Sequence, residues 1–84
     1  MKSAKSNPSK KKPKELIMLG ERIKSLRIEK GYSSYEFFAY EHNFPRTQFG
    51  RYEKGENLRF DNLLKIVKAF DMTLAEFFSE GFDS

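Results

Sequence analysis

The residues with the clearest chemistry cluster in one short stretch, Pro45-Arg46-Thr47-Gln48-Phe49-Gly50-Arg51-Tyr52-Glu53-Lys54. Read as a helix with about 100° between successive residues, this stretch puts Phe49 and Tyr52 on one side, which predicts a buried face. Arg46, Thr47, Gly50, Arg51 and Lys54 spread over the opposite arc, which holds no acid. An Arg guanidinium donates two hydrogen bonds to guanine O6 and N7, and a Thr offers a hydroxyl or a methyl to a base edge. Lys54, and Arg59 beyond it, suit phosphate oxygens. Gly50 costs about 1 kcal/mol against Ala in a helix, and a bare position there would let the backbone approach a groove floor. The chemistry is that of a major-groove reader of double-stranded DNA.

Other chemistry is poorly supplied. His42 is the only histidine and there is no cysteine, so the residues for a metal site or a nucleophile–base pair are lacking. The carboxylates are scattered, with no pair placed for acid–base work. No enzyme activity, cofactor or metal is expected. His42 is expected to end a helix, where a cation is favourable.

Five helical segments must position the basic stretch, and no strand pattern competes with them. Leu16, Leu19, Ile23 and Leu26 recur at helical spacing over about residues 15–30, stopped by Gly31. The second helix begins after Ser33 or Ser34. Ser33-Ser34-Tyr35-Glu36 reads as a capping box with Ser33 as cap, and Ser34 can cap instead. It ends near residues 41–42, before Asn43, a residue that tolerates the positive φ of a tight turn. Pro45 opens the third helix and Gly55 closes it. The fourth, about residues 60–70, sets Phe60, Leu63, Val67 and Phe70 on one face. Thr73-Leu74-Ala75-Glu76 is a capping box for the fifth, which ends near residues 80–81. The fold class is therefore all-α, and a short helix, a turn and a second short helix make a helix-turn-helix.

Charge divides the chain unevenly. Residues 1–14 carry Lys2, Lys5, Lys10, Lys11, Lys12 and Lys14 and no acid, whereas residues 15–84 hold ten Lys and Arg against twelve Asp and Glu. The net charge of +4 thus comes from the tail, and the basic arc lies in a mildly acidic domain. Residues 1–14 have little to bury and are expected to be a disordered tail, either solubilising or adding phosphate contacts. Residues 15–84 form one domain, of a size that buries only ~60% of its unfolded surface; nine Phe help to offset this. No apolar run approaches the ~20 residues of a membrane span, and residues 1–14 lack the apolar stretch of a secretory signal. A cytoplasmic protein is expected.

The chain resembles the phage-repressor-like (Xre-type) helix-turn-helix regulators over about residues 19–78. The resemblance rests on Leu19-Gly20-Glu21-Arg22-Ile23-Lys24 with Leu26-Arg27, then Ala39, Asn43 and Phe44. It continues through Phe49-Gly50-Arg51-Tyr52-Glu53-Lys54-Gly55 and Leu63-Leu64-Lys65-Ile66-Val67-Lys68-Ala69-Phe70. It implies a compact five-helix lambda-repressor-like domain whose third helix is the recognition helix. Arg46, Thr47, Gly50 and Arg51 then match base-contacting positions. Ser34, Tyr35, Gln48, Lys54, Asn57 and Arg59 form the phosphate set. Arg27 and Glu53 match a structural ion pair between the first and third helices. The sequence departs from the family pattern in three places. Tyr35 stands where a phosphate-binding Gln is usual, the stretch from Gly31 to Ala39 is one residue longer, and Asn43 replaces a turn glycine.

The function implied is that of a small bacterial or phage-type transcriptional regulator. One recognition helix spans few base pairs, so a homodimer on paired half-sites is expected, with Phe77, Phe78 and Phe82 as its apolar contact. The alternative is a protein-binding module, an antitoxin or co-regulator on the same fold, with a protein partner in place of DNA. An RNA-binding domain fits less well, because the aromatics sit at core spacing and not on a stacking platform.

Overall fold

The computed structural model describes residues 12–82. Its five helices are α1 (Lys14–Glu29), α2 (Tyr35–Glu41), α3 (Arg46–Glu53), α4 (Phe60–Ala69) and α5 (Leu74–Phe77). The described residues contain no strand. Their core joins Leu19, Ile23 and Leu26 of α1, Phe38 and Ala39 of α2, Phe49 and Tyr52 of α3, and Leu63, Ile66 and Val67 of α4, with Phe70 and Phe77 closing it. Phe38 is the hub. Its ring centroid lies 5.3 Å from Phe49, 5.0 Å from Phe70 and 5.0 Å from Tyr32. Such ring pairs add to the large area each Phe removes from water.

Four of the helices end in the same way. Each has a residue at positive φ just past its C-cap: Gly31 at 97°, Asn43 at 61°, Gly55 at 92° and Asp71 at 58°. The amide one residue further on returns to a carbonyl of the last turn in every case. The pairs are Tyr32 N to Arg27 O at 3.1 Å, Phe44 N to Ala39 O at 2.8 Å, Glu56 N to Arg51 O at 3.1 Å and Met72 N to Val67 O at 3.2 Å. This left-handed stop satisfies carbonyls that a helix end would leave bare and reverses the chain sharply. Asn43 thus performs the turn expected of it. Asp71 does so without a sequence cue as plain as glycine.

The short α5 is held from α1. Arg22 donates from Nε to Phe77 O at 2.7 Å and from Nη2 to Glu76 O at 3.0 Å. Its guanidinium also lies 5.7 Å from the Phe77 ring centroid. A cation on the carbonyls that end a helix complements the dipole there. At the other end of α5 the capping box forms as expected, with Glu76 N to Thr73 Oγ1 at 3.1 Å and Thr73 N to Glu76 Oε1 at 2.8 Å.

Several expectations change. The boundary after residue 14 falls too late: Lys14 is already in α1, and the Pro13 carbonyl accepts from Leu16 and Ile17. Lys12 Nζ donates to Lys54 O at 2.9 Å and pairs with Glu56 at 3.8 Å. The rest of the expected tail, residues 1–11, lies outside the described residues. Ser34, not Ser33, caps α2, accepting from Phe37 N at 3.3 Å. No capping box forms there, because with Ser34 as cap the third helical residue is Phe37, which has no carboxylate to reach back; the Ser34 hydroxyl donates to Glu36 at 3.2 Å. Phe60 does not join Leu63, Val67 and Phe70: it is 60% exposed at the first position of α4. The fifth helix stops at Phe77, short of residues 80–81.

Candidate nucleic-acid interface

Residues 42–45 link α2 to α3 through the Asn43 turn, and Pro45 sets the entry to α3. Phe49 and Tyr52 anchor α3 in the core, at 0% and 5% exposure. Burial pushes the Tyr52 phenol above its ordinary pKa, and a hydrogen bond from Asn62 Nδ2 at 3.2 Å partly opposes this. Phe44 packs at the turn, 5.4 Å from Phe49. The helix therefore has one allowed rotation about its axis, and that rotation fixes which residues face out.

Arg46, Thr47, Gln48, Arg51 and Lys54 are all exposed. Arg46, Thr47, Arg51 and Lys54 line an open cleft of about 430 Å³ with Tyr35 and Glu36 of α2 and with Gly50. The cleft brings together all four residues of the expected base-contacting set, Arg46, Thr47, Gly50 and Arg51, and two of the expected phosphate set, Tyr35 and Lys54.

Gly50 is the exception. It is buried and does not leave the backbone open to a groove floor. The Tyr35 ring covers it: a Cβ at Gly50 would lie 2.7 Å from Tyr35 Cε1, 2.8 Å from Cζ and 3.0 Å from the hydroxyl oxygen. The bare position makes room for a side chain of this protein. The spacing of Tyr35 and Gly50 in sequence gives no hint of the contact.

The expected phosphate set is dispersed. Asn57 and Arg59 are exposed in the loop after α3. Arg59 makes two hydrogen bonds of 3.2 Å with Asp61, which hold the Asp61 carboxyl below the usual carboxylate range. An exposed pair of this kind is weak and can be exchanged for a phosphate. Ser34 is committed both ways, accepting at the helix cap and donating to Glu36. A phosphate would have to displace Glu36 to receive that proton.

The expected pair between α1 and α3 is present. Arg27 donates from Nε to Glu53 Oε2 at 2.7 Å and from Nη2 to Oε1 at 3.1 Å. A third bond runs from Nη1 to Tyr32 O at 2.7 Å. The two side chains are only 4% and 7% exposed. A planar two-point pair fixes distance and orientation together, so α1 sets the end of α3.

Phe77 cannot serve an interface, since it is fully buried in the core. Leu74 on α5, at 37%, and Phe78 at its C-cap, at 42%, are exposed, and Phe82 is half-buried beside Phe78 at 4.8 Å. Two aromatics on α2 are also exposed, Phe37 at 52% and Tyr40 at 79%. Sequence spacing did not single them out. No helix among the described residues is long and apolar enough to cross a membrane.

Residues 22–79 match the family model of the Cro/C1-type helix-turn-helix DNA-binding domain. The chain is 38% identical over 65 residues to the control protein C.MunI of a Mycoplasma species, covering 76% of this chain and 88% of that protein. Among solved structures it is similar to the restriction-modification controller protein C.AhdI of Aeromonas hydrophila. That match has a TM-score of 0.67 and 34% identity over 76% of this chain and 97% of the other. A mutant of the restriction-modification controller protein C.Esp1396I matches with a TM-score of 0.71 and 28% identity over 82% and 87%. The matched segment contains α2, the Asn43 turn, α3 and the Arg27–Glu53 pair, and the chain belongs to the family of Cro/C1-type helix-turn-helix DNA-binding domains.

Proposed function

We propose that this protein is a sequence-specific transcriptional regulator that lays α3 in the DNA major groove and controls restriction–modification genes. The observation that carries the reading of DNA is the cleft-lining set Arg46, Thr47, Arg51 and Lys54 on a helix whose opposite face is locked in the core. Arg46, Thr47 and Arg51 read bases. Lys54, Gln48, Asn57 and Arg59 hold phosphates, with Ser34 joining them when its hydroxyl turns from Glu36 to donate to a phosphate oxygen. The first amides of α3 have no side-chain cap, and free amides at a helix start suit a phosphate oxygen. The names of the similar controller proteins support the restriction–modification role.

The protein acts as a homodimer on two-fold related half-sites, paired through Phe78, Leu74 and Phe82. Selection from random duplexes, followed by binding at several salt concentrations, tests the reading. A two-fold symmetric motif and a log–log salt slope of about −0.9 per phosphate contact are expected. A second reading, the protein-binding module, draws on exposed Phe37 and Tyr40, which line a groove of about 460 Å³ with Phe44. A protein that shifts no duplex at any salt concentration would favour it.

A further inference from the structure

We infer that Tyr35 reads DNA sequence: its phenol, supplied by α2, occupies the middle of the DNA-facing arc of α3 and offers its hydroxyl to a base edge. The inference rests on the reading of α3 as the major-groove helix. It differs from the phosphate role that the position suggests.

Three observations carry it. First, the end of the side chain, not its stem, lies over Gly50, with Cε1, Cζ and the hydroxyl oxygen within 3.0 Å of where a Cβ would sit. Tyr35 and Gly50 line the same cleft as Arg46, Thr47 and Arg51, and Ser34 does not, so the phenol is among the base-reading side chains. Second, Tyr32 and Tyr52 use their hydroxyls inside the fold, on Glu41 at 2.7 Å and on Asn62 at 3.2 Å. Among the described residues the Tyr35 hydroxyl has no such partner. A phenol both donates and accepts, so it can meet the mixed donor–acceptor edges of the major groove. Third, a glycine inside a short helix is unfavourable, and Tyr35 is what it accommodates. Any larger residue at position 50 would push the ring away. Tyr35 and Gly50 act as one reading element, split between α2 and α3.

The test is motif selection from random duplexes with the parent protein, Tyr35→Phe, Gly50→Ala, Tyr35→Ala and the Tyr35→Ala/Gly50→Ala pair. Tyr35→Phe removes one oxygen and keeps the packed ring, and matching melting curves confirm the fold. Its preference should flatten at one base pair per half-site, by roughly two- to tenfold, the size of one hydrogen bond. Gly50→Ala should flatten the same position, and adding it to Tyr35→Ala should change the motif no further. Uniformly weaker binding with the motif intact in Tyr35→Phe overturns the inference, because that is how a phosphate contact behaves. Gly50→Ala altering a different base pair from Tyr35→Phe also overturns it. A parent that enriches no sequence overturns the DNA reading as a whole, and this inference with it.

Discussion

Gly20 of α1 lies so close to Tyr52 of α3 that a Cβ on Gly20 would come within 2.6 Å of the Tyr52 carbonyl oxygen. The Glu53 carbonyl would be 2.7 Å away. Both neighbours are backbone in a helix and cannot rotate aside, so the helices must separate. Gly20→Ala is expected to cost about 1–3 kcal/mol, the usual range for overpacking, although Ala is the better helix former. Thermal melting checks this, and an unchanged Tm would mean that α1 and α3 have slack at their crossing.

The Arg27–Glu53 pair should behave as a buried pair. Arg27→Met alone leaves the Glu53 carboxylate buried without its partner and should cost about 3–5 kcal/mol. For a domain whose whole stability is on the order of 5 kcal/mol, that approaches unfolding. Arg27→Met combined with Glu53→Leu should recover most of the loss, because well-packed apolar residues replace such pairs at little cost. Denaturant titration of the single and double variants separates the cases. A double variant no more stable than the single one would show that the pair gives more than charge balance.

The sequence made these helices legible where side-chain period and helix ends coincide. Leu19, Ile23 and Leu26 repeat on one face, Gly31 and Gly55 stop their helices, and Thr73 with Glu76 caps α5. Residue resemblance supplied Arg27 and Glu53, which sit far apart in the chain and meet only after α1 crosses α3. Contacts of that kind lie beyond periodicity. The Arg22 bonds to α5 carbonyls and the Tyr35 ring on Gly50 depend on where helices cross, and the wheel of α3 alone placed Gly50 in the open. Phe60 shows the converse: its spacing fits the apolar face of α4, but it sits at the helix start, beyond the core.

Asn43 holds φ 61° in the turn before the recognition helix. Asn43→Gly should therefore be tolerated within about 1 kcal/mol, since glycine adopts this conformation freely at some entropic cost. Asn43→Val should lose about 1–2 kcal/mol or more, because a β-branched residue resists the left-handed region. Comparable Tm values for the two variants would contradict the turn geometry.

Phe78 tests the proposed dimer with little risk to the fold. It is 42% exposed and touches Phe77 and Phe82 at its edges, at 5.0 and 4.8 Å. Phe78→Glu should leave the monomer folded and place like charges across the two-fold contact. The filling of paired half-sites should lose its cooperativity in a titration followed by gel shift. Unaltered cooperativity would put the interface elsewhere than α5.

The exposed arc of α3 should separate into two kinds of loss. Arg46→Ala and Arg51→Ala should each relax preference at particular base pairs, by about 1–3 kcal/mol for a lost two-point contact. Lys54→Ala should weaken binding to all sequences alike and reduce the salt slope by about 0.9, as a phosphate contact does. Its backbone carbonyl, not its ammonium group, receives Lys12, so the substitution leaves that tether in place. None of the three side chains belongs to the core, so circular dichroism should match the parent. Gly50→Glu is a poorer probe than an open arc would suggest, because it displaces Tyr35 as well as adding charge. The decisive comparison is Arg46 with Lys54. If both substitutions lower affinity uniformly and leave the motif unchanged, α3 grips the backbone only, and its basic arc does not read bases.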